Sequence, residues 1–275
     1  MHPILFHIGS YEVPSYGVAL TIAFAVGIAI GRRRARARGI DEERVIDACL
    51  VALATSLIGA RLLWVATHLD AFAGPGASWL DAVNPFGSRR FGFSGLSMMG
   101  GVVLATLSGL GYLAWRGLPL LRTADALMPS VLLGEGITRI GCFLNGCCYG
   151  HPCEGWFCLA FPPGSGAHAA FAGVPVHPTQ LYTSALGFLG FFALSALWRA
   201  RLADGVVFFA FLVWIGTQRL LMDLLRFHDP GTIWAHLAGI GIPSSSLLSA
   251  ALVAAGLAGL AVCARRSPAA ADAGT

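Results

Sequence analysis

SYGVALTIAFAVGIAIGRRRARAR, from Ser15 to Arg38, joins an uncharged apolar run to a block of five arginines: Arg32, Arg33, Arg34, Arg36 and Arg38. At about 1.5 Å per helical residue, the stretch from about 14 to 31 covers roughly 27 Å, close to the hydrocarbon thickness of a bilayer. The pattern then recurs. Apolar segments stand at about 45 to 66, 96 to 115, 125 to 146, 178 to 198, 205 to 225 and 243 to 264, which makes seven spans. The fold class expected is therefore an all-α polytopic membrane protein.

Composition agrees. Of 275 residues, 56% are hydrophobic and only 12% charged, with a mean hydropathy of +0.71, against about 25% charged in an ordinary soluble domain. Disorder, collagen and coiled coil are excluded. The net charge of +4 comes from 18 bases that are all arginines, and most of them sit beside hydrophobic runs rather than in one stripe, so no nucleic-acid partner is expected. Arg116 and Arg122 follow the third span, Arg199 and Arg201 the fifth, and Arg265 and Arg266 the last. By the positive-inside rule these hinges face the cytoplasm, which leaves the N-terminus outside and the C-terminus inside. MHPILFHIGS has neither the basic region nor the cleavage site of a signal peptide, so the first run is expected to stay as a span. Residues 1–266 read as one seven-span domain and 267–275 as a flexible cytoplasmic tail. The glycines of GFLGFF (Gly187 to Phe192) and AGLAGL (Ala255 to Leu260) are expected to let helices pack closely.

Charges inside spans are costly, about 2.5–3.5 kcal/mol each on insertion scales, and so need a reason. Arg61 lies in the second span, Glu135 and Arg139 in the fourth, and Arg219 and Asp223 in the sixth, with Arg226 a turn further on. The pairs Glu135/Arg139 and Arg219/Asp223 have i,i+4 spacing, so each places both charges on one helix face. Arginines buried on two helices call for something anionic between them, and a guanidinium fork matches phosphate oxygens bidentately. The inference is a cavity open to the outer leaflet that holds a phosphate or carboxylate, with a phospholipid head group as the occupant.

Cys142, Cys147, Cys148, Cys153 and Cys158 cluster at the outer end of the fourth span, with His151 among them. Disulfides persist outside the cytoplasm, so one or two bridges are expected and at least one thiol is left over. Structural zinc motifs space paired ligands as CxxC, whereas adjacent cysteines do not readily share an ion, so no metal is expected. Thiol exchange remains a further reading, because Arg139 supplies positive charge near Cys142.

RIGCFLNGCCYG (Arg139 to Gly150), HPTQLY (His177 to Tyr182) and RLLMDLLR (Arg219 to Arg226) together resemble the prolipoprotein diacylglyceryl transferase family. SYG at Ser15 to Gly17 and GAR at Gly59 to Arg61 fall in the same order. The resemblance implies a bacterial inner-membrane enzyme that moves the diacylglyceryl group of phosphatidylglycerol onto the lipobox cysteine thiol of prolipoprotein signal peptides. It implies Arg139 and Arg219 as catalytic residues. Tyr16, Asn145, Gly146 and Gly150 match its signature positions, and Asp223 stands where a glutamate is expected. Arg61, Arg226, Gly100 and Gly101 are assigned to substrate binding and no cofactor is implied. One departure is marked: SMMGG (Ser97 to Gly101) carries Met99 where the family has the histidine of a His-Gly-Gly motif. Methionine takes no proton, so His177, His151 or Asp223 would have to serve as base, or a positive field would have to suffice. The rival readings are a phospholipid-binding or transport protein, or a thiol-redox membrane protein, built on the same fold without transfer.

Overall fold

A computed structural model describes residues 2–9, 11–72, 97–228, 233–237 and 240–266. The described residues form a bundle of seven long helices: α1 (Ser15–Ala37), α2 (Glu42–Thr67), α3 (Met98–Trp115), α4 (Leu120–Asn145), α6 (Thr179–Arg199), α7 (Val206–Leu225) and α8 (Ser244–Arg266). A short helix, α5 (Gly166–Phe171), lies in the loop after α4. Six of the long helices are long and apolar enough to cross a membrane, and α3 is apolar but shorter. The protein is a multi-pass membrane protein.

Two antiparallel hairpins, β1 (Ile4–Ile8) with β2 (Tyr11–Pro14) and β3 (Ile233–Leu237) with β4 (Ile240–Pro243), precede α1 and α8. They were not expected from the sequence, where their short apolar runs merge with the neighbouring spans. Several helices also run past the apolar windows. α2 starts at Glu42 because the Asp41 carboxylate accepts from the Glu43 and Arg44 N–H groups (3.1 and 3.4 Å), and Glu42 and Glu43 complement the helix dipole. α4 starts at Leu120, before its apolar window, and ends on Gly146 in the left-handed region (φ 72°), where a side chain would strain the backbone. The proposed tail, 267–275, lies outside the described residues, as do Arg89, Arg90 and Gly74-Pro75-Gly76.

α1 packs on α4, α4 on α6, and α7 on α8, while α2 and α3 pack on each other and reach the rest mainly through α1. Small residues make these approaches possible. A Cβ on Gly187 would stand 2.9 Å from both the Gly136 N–H and the Leu132 carbonyl, and one on Gly256 would stand 2.8 Å from the Phe209 carbonyl. Both glycine runs therefore serve helix packing, as expected. Gly59 and Gly100 face each other backbone to backbone at the α2–α3 crossing, and Gly101 lies over Ser56 and Ala60.

The arginine hinges gather at one end. Arg34 is buried there, donates to Ser195 Oγ (2.7 Å) and lies over the Phe191 and Trp198 rings. Arg38 donates to the Trp198 carbonyl (2.7 Å) and Arg122 pairs with Asp204 (2.9 Å). Asp125, buried near the start of α4, accepts from the Gly205 and Phe208 N–H groups (2.7 and 2.8 Å) and so caps α7 from a neighbouring helix. The hairpins, the loop after α4 and the site lie at the other end.

Candidate functional site

α4 and α7 each bring one of the i,i+4 pairs to this end. Arg139 Nη2 lies 3.9 Å from Glu135, and Arg219 Nε lies 3.0 Å from Asp223. The two helices are tied by Gln218, which donates to Glu135 Oε2 (2.9 Å) and accepts from the Trp214 indole (3.1 Å). Asp223 is only 3% exposed at its side chain, yet well supplied: Ser245 and Ser246 of α8 each donate to Oδ2 at 3.0 Å, and His228 Nε2 stands 3.4 Å from Oδ1. Placed in this way, the Asp223 carboxylate orients the Arg219 guanidinium. Desolvation pushes His228 below its ordinary value, against the pull of Asp223, so its imidazole is held neutral.

Gln218, Ser245, Ser246, His228 and Gln180 carry no signal in the sequence, because it is their partner rather than their type that marks them. Gln180, 1% exposed, sits inside the quoted HPTQLY string and donates to the Cys147 carbonyl (2.7 Å), while Thr179 donates to the Cys148 carbonyl (2.7 Å).

The loop from Gly146 to Pro178 folds against this end. Gly150 bridges to Arg226, its N–H bonds the His177 carbonyl (2.9 Å), and a Cβ there would run into His177 and Thr179. Asn145, Gly146, Cys147, Cys148, Tyr149, Gly166, Arg226 and Phe227 line a polar cavity of about 390 Å³. Arg226, Asn145 and Gly146 are thereby brought together. A second hollow, apolar and about 320 Å³, lies between α1, α2 and α4, and runs from Leu20 and Cys49 up to Thr138, the neighbour of Arg139.

Tyr16 sits at the start of α1, where Gly141 of α4 is pressed against its backbone (3.2 Å from an added Cβ). Arg61 lies on α2 with its guanidinium over the Trp64 ring (5.1 Å), in the α2–α3 half of the bundle together with Gly100 and Gly101. Met99 is largely exposed at the start of α3. His177 is in the loop, its ring stacked on Phe157 (5.7 Å) with Nδ1 3.5 Å from the Tyr182 hydroxyl. His151 packs edge-on to Phe227 (5.8 Å).

Of the five clustered cysteines, Cys153 and Cys158 form a disulfide, while Cys142, Cys147 and Cys148 are free thiols. The three Sγ atoms lie within 4.8 Å of one another. Cys148 takes a left-handed backbone (φ 63°), uncommon for a residue other than glycine. Hydrogen bonds from the Cys142 and Cys147 thiols, with the charges of Arg226 and Arg139, hold the Cys148 thiol well below its ordinary value.

These features define a polytopic membrane protein with paired guanidinium groups half-buried at one end of its bundle, where a polar cavity is lined by Arg226 and an apolar groove reaches Thr138. Over residues 3–262 the chain matches the family described as prolipoprotein diacylglyceryl transferase, and it belongs to that family. It is similar to the phosphatidylglycerol–prolipoprotein diacylglyceryl transferase of Clostridium tetani, 28% identical over 85% of this chain and 88% of that one. It is 29% identical to the enzyme of the same name from Clostridium botulinum strain 657 over 82% and 87% of the two chains, and 28% identical to that of Lysinibacillus sphaericus over 82% and 81%.

Proposed function

We propose that the protein transfers the diacylglyceryl group of phosphatidylglycerol to the cysteine thiol of prolipoprotein signal peptides, at the outer face of the bacterial cytoplasmic membrane. The observation that carries this reading is the pairing of Arg139 with Glu135 and Arg219 with Asp223 on adjacent helices cross-tied by Gln218. Arg219, fixed by the buried Asp223, and Arg139, standing beside Glu135, form a preorganised clamp for a phosphate diester and for the monoester it becomes. Desolvation there strengthens every contact to developing negative charge.

The head group lies at the arginine clamp, with Arg226 and the Asn145–Gly146 turn as further contacts from the polar cavity and Tyr16 as a hydrogen-bond donor. An acyl chain lies in the apolar groove that ends at Thr138. Arg61 is set further off, on α2, as a positive charge at the same end. The acceptor sulfur attacks the glyceryl carbon next to the phosphate, the C–O bond breaks, and glycerol phosphate leaves with the bonding electrons.

The test is incubation of the purified chain with phosphatidylglycerol and a lipobox peptide, read by mass spectrometry beside Arg139→Ala. A peptide gain of one diacylglyceryl group, absent in the variant, is the expected result. A chain that binds the lipid but never modifies the peptide would overturn it in favour of head-group binding without transfer.

A further inference from the structure

Three free thiols within 4.8 Å of one another are an unusual possession for the outer end of a membrane bundle, where Cys153 and Cys158, a few residues away, have already joined. Zinc–thiolate bonds of about 2.3 Å in tetrahedral array set sulfurs roughly 3.8 Å apart, within the span of this cluster. The backbone beneath is fixed as a ligand shell requires: Gln180 and Thr179 hold the Cys147 and Cys148 carbonyls, and the Cys147 N–H bonds the Cys142 carbonyl (3.2 Å). Cys148, in the left-handed region (φ 63°), carries local backbone strain at the place where the thiols meet. Among the described residues no fourth thiol, imidazole or carboxylate completes the group. Cys142 is buried, but Cys147 and Cys148 line the polar cavity with Arg226, so a fourth coordination position faces the place where substrate enters.

We propose that Cys142, Cys147 and Cys148 form a tri-thiolate site for a soft d10 cation, zinc, whose open fourth position takes the acceptor thiol as a thiolate. The proposal rests on the transfer reaction put forward above and supplies what Met99 cannot. Three thiolates on a divalent ion carry one net negative charge, which Arg139 beside Cys142 and Arg226 across the cavity offset. Thiolates select zinc over hard ions, and a coordinated thiol loses its proton outright, here to water. The acceptor sulfur then forms the C–S bond to the glyceryl carbon. The C–O bond to phosphate breaks, its electron pair stays on the phosphate oxygen, and the zinc charge is unchanged throughout.

The test begins with the full chain purified under reducing conditions, given zinc and desalted. About one zinc per chain is expected, lost in Cys148→Ser and in Cys142→Ser but kept in Cys49→Ser, which reports on folding. With cobalt in place of zinc, a thiolate-to-metal band should appear and grow when a lipobox peptide is added, but not with the same peptide carrying serine for cysteine. No retained zinc, or equal zinc in the triad variants, overturns the site, as does recovery of the wild-type triad as a disulfide. A cobalt band indifferent to the peptide thiol overturns the acceptor role. Transfer in Cys148→Ser should fall on the order of 10²-fold; undiminished transfer in that zinc-free variant counts against this proposal alone. A zinc-loaded chain that takes up the peptide thiol but transfers nothing counts against the transfer reading alone.

Discussion

Arg139 meets Glu135 at 3.9 Å, a looser pairing than the 3.0 Å of Arg219 and Asp223, so of the two guanidinium groups it is the one with donors to spare for a ligand. Charge alone does not fill that role. Arg139→Lys keeps a cation but loses the fork, and turnover with phosphatidylglycerol should fall about 10²–10³-fold, the usual loss on removing one preorganised donor, with the chain still folded by thermal melting. Near-normal turnover would show that a point charge suffices. His228 gives a second prediction, one of stability. Its neighbours are Asp223, Arg219 and Arg226, and burial outweighs the carboxylate, so its folded value lies below about 6.5. Between the two values the unfolded chain holds more protons. This part of the stability is therefore complete above about pH 6.5 and is lost as pH falls toward the folded value. Unfolding midpoints measured from pH 7.5 to 5 should drop more in the native chain than in His228→Gln; equal slopes would remove His228 as the cause.

At the scale of the helix, packing is set by glycines placed against backbone rather than against flexible side chains. Gly187→Leu puts a side chain into Gly136 and Leu132 at the α4–α6 contact, which neither helix relieves without moving. Overpacking of this kind costs about 1–3 kcal/mol, and the shift should appear in a melting midpoint of the purified chain. An unchanged midpoint would mean that the two helices are free to separate there. Helices were the most legible elements, because a run without charge reports its own length. Their ends were not. Glu42 and Glu43 fall outside any apolar window yet are helical, since Asp41 caps the turn and the dipole favours them. The hairpins were hidden because strands of four or five residues leave no period to read beside a span.

For the whole molecule, one end carries the arginine hinges and the other carries the site, and this polarity was legible from charge alone. Reporter fusions should bear it out: a phosphatase joined after Gly117 should be inactive and one joined at Gly164 active, the reverse placing the site in the cytoplasm. The arginine pairs were legible for a related reason, since a charge in an apolar run announces itself. What stayed hidden was everything that depends on two distant segments meeting. Gln218 finds Glu135 across helices, and Asp125 caps α7 from α4. Spacing rules describe neighbours along the chain, and these are neighbours only in space.

The attachment of α2 and α3 mainly through α1 bears on traffic. In the proposed reaction a two-tailed lipid and a two-tailed product both stay anchored in the bilayer during turnover, so neither travels through water. The apolar groove takes residues from α2 on one wall and α4 on the other, and these walls belong to parts of the bundle that barely touch. Under the proposed transfer, such a seam serves as a side door: tails slide through it while the head group turns at the arginines, and the hydrocarbon of the membrane itself forms the missing wall.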